Sequence, residues 1–598
     1  MSNILSYYKN ELESLHREIK GFTDSHPTLG AGAAHNILDN PHVALLIETF
    51  SLLHANLNLK LEESFIEFIS NLFNILYPHY NSPIPSMAII EIKPSDKAKA
   101  PFYLPKGKIL ELGRNSKESC NFQTCYEATI LPVQVTKAYC HDSTTHNNIG
   151  NLNAKNLLSI HLAALNKTEF NKLNLNKLRF FIQGSQELKY AIYQVIVTQV
   201  LTITIADPDN NDNYIILDKD CIKKVGFAEE ENIFPANPNS FIGYRLITEF
   251  SAFPDKFLFF DVNLTNSNNL INFTNNIELH FYLGSTKLQN LVSANNFVLN
   301  TVPIINLSTV ESDPISLSGN NIEYPIIIDH KAPESYEIYS IEKATLVSKE
   351  VEKQGFALWN TDYRRNYENS NLFWYSTSRK KLINENVGKK TELYISIIDK
   401  DLSFIEESKQ YCYLEVKCFN NNLPYTIYSN GITKFTFADH TLPINNIDCL
   451  IKPNRANNPL KDEAQKWDMI AHMSPHYLNI MNDTYGKSLL KQLLSMYDFN
   501  INNINKLIIE NIINVKIREV VKKIKIDKSY QFCKGKVIEL YFNELPLPEG
   551  VVLLFLSVLE YLLAAYCSIN SFTQLVAQNN KNQIIYHGDL MNGLKCVI

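Results

Sequence analysis

The chain has 598 residues, 45% hydrophobic and 20% charged, an ordinary globular balance with apolar material for several cores, which excludes a chain dominated by disorder. Lys and Arg number 56 against 62 Asp and Glu, a formal net charge of −6; this balance argues against a nucleic-acid groove or a Lys/Arg-rich membrane-surface binder as the global design. Ten cysteines without a CxxC pair, and an N-terminus charged from Lys9 onward with no long apolar core, predict a reducing cytoplasm and free thiols.

Residues 1–83 read as a helical segment. Leu5, Tyr8, Leu12, Leu15, Ile19 and Phe22 recur at alternating spacings of three and four, a heptad-like seam along one helix face. Gly21 and Pro27 mark its expected end. Asp39-Asn40-Pro41 offers a cap followed by proline at the first helical position. Val43, Leu46, Phe50, Leu53, Leu57 and Leu61 then repeat the seam, Phe65 to Leu76 extend it, and Tyr77-Pro78 stops it. So long a stripe must be covered by its own neighbours, as an internal helical hairpin, or by another chain. Seam width does not choose between the two.

From Ile84 the period changes to two. Met87–Ile92, Leu158–Leu162, Leu178–Ile182, Lys256–Val262, Ile277–Leu283, Leu393–Ile398 and Tyr411–Phe419 read as strands. Helix-like interruptions fall near Glu187–Val200 and Gly243–Phe250. The stretches Asp207–Asn213 and Asn266–Asn276 read as surface loops. Residues 84–310 and 311–452 are thus expected to be two β-rich domains. After Pro453 helices return, at Asp462–Met473, Lys487–Tyr497 and Ile501–Ile512, with a strand at Val537–Phe542. Residues 453–598 read as an α+β domain, and the whole chain as α+β. The apolar run Val551–Cys567 is shorter than the ~20 residues of a spanning helix and carries Glu560 in its middle, so a buried helix is expected.

Signs of catalysis or metal binding are weak. GxSxG, HExxH, P-loop and post-strand GxGxxG motifs are absent. His472 and His476 stand four apart, but Pro475 would break the helix that a zinc clamp needs. Cys120, Cys125, Cys140, His141 and His146 cluster without knuckle spacing and read as buried thiols and loop histidines. Cys412 and Cys418 share one strand face with Leu414 and Val416, a core pattern. Glu229-Glu230-Glu231 reads as a solvated turn. The aromatic stretch Ala252–Asp261 reads as a core strand, with a partner surface as the alternative. No catalytic residue, metal ligand or cofactor is therefore expected.

Several segments resemble one family. Tyr7-Tyr8-Lys9-Asn10-Glu11-Leu12 is similar to its tyrosine-rich start. Asp39-Asn40-Pro41-His42-Val43 resembles its helix opening, and Leu76-Tyr77-Pro78-His79-Tyr80 with Pro83-Ile84-Pro85-Ser86-Met87-Ala88 its long proline-rich segment. Val225-Gly226-Phe227 stands before the acidic run. Gly243-Tyr244-Arg245-Leu246, Glu249-Phe250 and Phe253–Asp261 form a second anchor, and Pro303–Leu307 and Ser568–Phe572 add shorter matches. The family is TssF (also VasA or ImpG) of type VI secretion. The chain departs from the family at Ser308, where an aromatic is usual, at Lys534-Gly535 and before Ile451.

The resemblance implies a non-enzymatic, cytoplasmic subunit of a baseplate wedge docked at the inner face of the inner membrane. The implied partners are TssG, TssK, TssE, the VgrG hub and a second TssF copy, with no cofactor. Leu12, Leu15 and Ile19 within the first seam are then expected to face TssG. A rival reading is a β-rich receptor- or glycan-binding tail protein with an exposed aromatic groove near Phe257.

Overall fold

The structure, a computed structural model, describes residues 2–25, 45–58, 82–95, 98–114, 119–142, 154–170, 173, 175–208, 210–235, 241–264, 273, 276–317, 321–331, 335–347, 352–357, 372–384, 388–399, 410–437, 442–457, 486–497, 503–526, 529–543, 547–564, 566–567, 571–581 and 583–592. The chain divides into two compact units, Met1–Leu76 with Asp462–Lys466, and Tyr77–Lys461 with Trp467–Ile598.

The smaller unit contributes helices α1, Ser2–Ser25, and α2, residues 45–58. Two helices, not a bundle, are what the described residues show here. Gly21 does not end α1, which continues through it to Ser25. The expected cap at Asp39–Pro41 and the seam beyond residue 58 lie outside the described residues.

The larger unit is built from sheets. Its helices are α3, Gln186–Thr198; α4, Ile242–Ala252; α5, Leu423–Ser429; α6, Gly486–Met496; α7, Asn503–Glu510; and α8, Glu549–Ala564. Mixed α+β character is thus observed. One six-stranded sheet gathers chain from far apart. Met87–Pro94 lies between Thr301–Ile305 and Ile444–Ile451, and Phe435–Phe437 closes the far edge. Residues near 90, 300 and 450 therefore share one hydrogen-bonded layer.

A five-stranded antiparallel sheet runs Asn210–Asp218, Val200–Asp207, Asn276–Leu283, Asn156–Ala164, Val133–Asp142. Alternation sends Leu158, Ile160, Leu279, Phe281, Ile203 and Ile205 to one buried face. The stretch read as a loop at 207–213 instead belongs to a hairpin: Asn210–Asp218 pairs back on Val200–Asp207. Its Asp/Asn composition marked the turn and concealed the strand that follows.

In the eight-stranded sheet, Gln410–Phe419 buries Cys412, Leu414, Val416 and Cys418 on the core face, as the period-two pattern requires. The expected strand Lys256–Val262 starts later. Pro254–Phe257 form a 3₁₀ turn, and the strand is Phe259–Asn263. Proline at the first position fixes φ and supplies no N–H, which suits a turn better than a ladder. Phe253, Phe257, Leu258, Phe259 and Phe260 are all buried, so this stretch is core.

The C-terminal part forms a βαβ unit. Strand Ser529–Phe542 leads through α8 to Phe572–Asn579, which pairs parallel to it from Gly535 to Phe542. Helix α8 is apolar on nearly every side, Ser557 and Glu560 excepted, because it is buried from Gly550 to Glu560 and again at Leu562–Ala564. Phe555 meets Phe250 of α4 at 5.8 Å between ring centroids, and Tyr561 stacks on Phe227 at 5.5 Å. The strand Phe572–Asn579 lies along another side. Among the described residues no helix is long and apolar enough to cross a membrane.

Candidate assembly interface

All six seam residues fall on α1. At ~100° per residue they occupy an arc of roughly 100°. Tyr8, Leu12 and Leu15 are half-buried, while Lys9, Asn10, Glu13, Ser14, His16, Arg17 and Glu18 are exposed. The side chains of Leu5, Ile19 and Phe22 lie outside the described residues.

Helix α2 shows where α1 gains its cover. Glu11 Oε1 accepts from Asn58 Nδ2 at 2.9 Å, and Glu11 Oε2 lies 2.8 Å from His54 Nδ1. Ser51 and Ala55 of α2 are buried. The second apolar seam points the other way: Leu46, Phe50, Leu53 and Leu57 lie within an arc of roughly 60° and are 57–69% exposed. A stripe of four large apolar side chains on one exposed face is the kind of surface a partner covers.

The segments Val225–Phe227, Gly243–Phe250 and Phe253–Asp261 of the larger unit carry an ionic clamp that sequence reading missed. Glu249 on α4 and Lys256 on the following turn form a fully buried pair. Glu249 Oε1 also accepts from Ile233 N–H at 2.8 Å, and Lys256 Nζ donates to the Glu231 carbonyl at 3.1 Å. Arg245 Nη2 donates to the Ala228 carbonyl at 3.0 Å. Arg179 reaches Asp261 through Nε and Nη2, at 2.7 and 2.8 Å, and Glu231 through Nη2 at 2.7 Å. Glu231 Oε2 takes the Gly226 N–H at 2.6 Å. Gly226 sits at φ +99, where side chains are strained, with Lys256 O and Phe257 Cδ1 close behind it.

The acidic run is therefore only partly a solvated turn. Glu229 and Glu230 are exposed, whereas Glu231 ties the turn to Arg179. Burial pushes the Lys256 amine down, opposed by Glu249, while Asp261 and Glu231 outweigh burial at Arg179 and hold its guanidinium charged. Burying these charges is tolerable because each is paired and hydrogen-bonded. A single sequence carries no signal for such pairing, since Lys, Arg and Glu default to the surface.

A second polar network lies on the five-stranded sheet. Glu278 accepts from both neighbours on its face, with His161 Nδ1 at 2.7 Å and His280 Nε2 at 3.2 Å. His161 Nε2 lies 3.0 Å from Tyr139 OH, and His280 Nδ1 lies 2.9 Å from Ser159 Oγ. Burial raises the Glu278 carboxyl, but the two imidazoles override it and hold it at about 2.

The described members of the thiol and imidazole cluster, Cys120, Cys125, Cys140 and His141, form no metal-holding group. Cys120, Cys125 and Cys140 are buried free thiols, and burial lifts Cys125 to about 12 and Cys140 to about 11, far from the reactive thiolate range. Among the described residues no group of three or more His, Cys, Asp or Glu is placed to hold a metal ion. His146, His472, His476 and Cys596 lie outside the described residues.

Taken together, the fold and its contacts define a multi-sheet α+β scaffold with an open apolar helix face. A family model for the type VI secretion system protein TssF matches residues 1–588, so the chain belongs to that family. It is 25% identical over 604 residues to the type VI secretion system component TssF1 of Pseudomonas aeruginosa, covering 97% of each chain. Its fold matches a chain of a cryo-electron microscopy structure of the TssK-TssF-TssG baseplate subcomplex, with a TM-score of 0.73 at 19% identity over 92% of this chain and 98% of that one. A chain in a structure of the type VI secretion baseplate complex matches with a TM-score of 0.57 at 16% identity, over 99% and 100%.

Proposed function

We propose that this chain is a structural, non-enzymatic subunit of a type VI secretion baseplate wedge. Membership of the TssF family along nearly the whole length carries this reading, and the open seam on α2 supports it. The chains sharing its fold come from baseplate assemblies, one of them containing TssK and TssG. By extension TssG and TssK are its direct partners, with TssE, the VgrG hub and a second copy of this chain completing the wedge. The site of action is then the cytoplasmic side of the inner membrane, reached through the assembly. In this reading the chain works as four parts: an assembling segment 1–83, β-rich parts 84–310 and 311–452, and an α+β part 453–598.

Leu5, Tyr8, Leu12, Leu15, Ile19 and Phe22 are the proposed partner face of α1, joined by Leu46, Phe50, Leu53 and Leu57 of α2. Half-burial of Leu12 and Leu15 makes the α2 stripe the more accessible of the two. The glycan-binding rival loses its supporting feature, because the aromatics around Phe257 are core residues.

Co-expression with the neighbouring TssG-like chain tests the reading. Wild type should co-purify with it. Leu53→Asp with Leu57→Asp, and separately Leu15→Asp with Ile19→Asp, should abolish co-purification while the β-rich unit keeps its near-native circular dichroism. Wild-type yield of partner in both double variants would remove α1 and α2 from the interface.

A further inference from the structure

Strands Ile512–Ile526 and Ser529–Phe542 pair from end to end as a long antiparallel ribbon. The parallel neighbour Phe572–Asn579 supports only the stretch from Gly535 to Phe542. Among the described residues, no further strand supports the distal half, Ser529–Lys534 with its partners. A two-stranded ribbon is marginal in water on its own, so this extension is a costly feature for a soluble protein to keep.

The register separates its two faces. On one, Gly535 packs against Phe572, Lys522 donates to Gln574 Oε1, and Arg518 pairs with Glu539. On that face the neighbouring strand Phe572–Asn579 meets the ribbon through Phe572 and Gln574. On the opposite face, beyond the buried Val515, Ile538 and Leu540, the register aligns Glu519 with Lys536, Val521 with Lys534, and Lys523 with Phe532, and Lys534 Nζ lies 2.7 Å from Glu519 Oε2. There Phe532 is 78% exposed and Val521 63%.

Positive charge is concentrated on this ribbon. Residues 516–536 contain eight Lys or Arg and two Asp or Glu, a local +6 inside a chain of −6, so the remaining residues carry −12. Lysines do blunt exposed strands against aggregation. Blunting alone leaves an almost fully exposed phenylalanine on the same face unexplained. A long polyanion or a charged membrane would also meet the repulsion of the acidic remainder. A protein surface of limited extent would not.

We propose that the distal outward face of this ribbon docks an acidic protein partner, with Phe532 as the apolar anchor and Lys534 and Lys536 as the matching charges. Aromatic anchors hold such contacts, and rim charges steer them. The proposal rests on the reading that the chain works inside a protein assembly.

Photo-crosslinking tests it, with p-benzoylphenylalanine replacing Phe532 in the full chain, expressed in cells that make the baseplate. The expected product is an adduct to an Asp/Glu-rich peptide of another protein, identified by mass spectrometry. Its yield should fall about tenfold in Lys534→Gln/Lys536→Gln. An unchanged yield in that variant would overturn the proposal. So would an adduct to lipid, nucleic acid or this chain's own body, or no adduct at all. Co-purification with the TssG-like chain is scored in the same variants. A ribbon that forms no adduct in a chain that still binds that partner rejects the ribbon proposal alone; loss of both points to failure of the assembly reading.

Discussion

Lys256 and Glu249 show how far residue identity and residue environment can diverge. Each is a charged side chain with essentially no exposed surface, and each satisfies the other together with backbone groups of the 228–233 turn. Removing one partner strands the other where solvent does not reach its side chain. Lys256→Met should therefore cost about 3–5 kcal/mol in urea unfolding. A loss below about 1 kcal/mol would show that water reaches Glu249. Glu560 on α8 is a different case. Burial is the main influence and raises its carboxyl, with Tyr586 OH donating to it at 2.6 Å. A raised carboxyl contributes stability below its ordinary value of 4.5 and loses it as pH rises through the folded value. Glu560→Gln should thus leave the melting temperature near wild type at pH 4 and raise it at pH 8; equal effects at both would contradict the assignment. Glu278 runs in the opposite sense. Its carboxyl is held at about 2, so its contribution is complete above 4.5 and lost as pH falls toward 2. Glu278→Gln should flatten the loss of stability between those values, measured by thermal melts across the acid range.

At the scale of elements, α8 is the piece on which the larger unit closes. Two glycines set how near it comes. A Cβ on Gly243 of α4 would lie 2.6 Å from Tyr561 O and Leu562 Cα, and one on Gly550 would lie 2.0 Å from Tyr190 O of α3. These are backbone atoms, which cannot swing aside. Gly243→Ala and Gly550→Ala should each destabilise by about 1–3 kcal/mol or more despite the better helix propensity of alanine. A stabilised variant would mean that the helices can move apart without loss. Elements of this kind were largely legible. The run Val551–Cys567 announced a buried helix through length and Glu560, and Gln410–Phe419 announced its core face through strict alternation. The ribbon 512–534 was not legible, because its lysines fall on both faces and erase the apolar period on which strand recognition depends. The clamp around Glu249 was equally hidden: its partners lie up to 82 residues apart, as Arg179 and Asp261 do, and nothing local marks them.

Over the whole molecule, local pattern fell short wherever the chain returns on itself. Nothing in the alternation of residues 444–451 says that they pair with 89–94, yet that pairing joins two distant stretches of the chain in one six-stranded sheet. The seams were legible as stripes, but stripe geometry did not say which one its own unit covers. The structure half-covers the described part of the first and leaves Leu46, Phe50, Leu53 and Leu57 of the second exposed. This asymmetry suits a chain whose fold is completed by assembly, where an apolar face exposed in the free subunit is buried in the complex. The measurement that bears most directly on this account is multi-angle light scattering of the chain co-purified with its TssG-like neighbour. The account predicts one monodisperse species with the mass of two copies of this chain and one of the partner. A folded, monodisperse chain that elutes alone beside an unbound partner would contradict it.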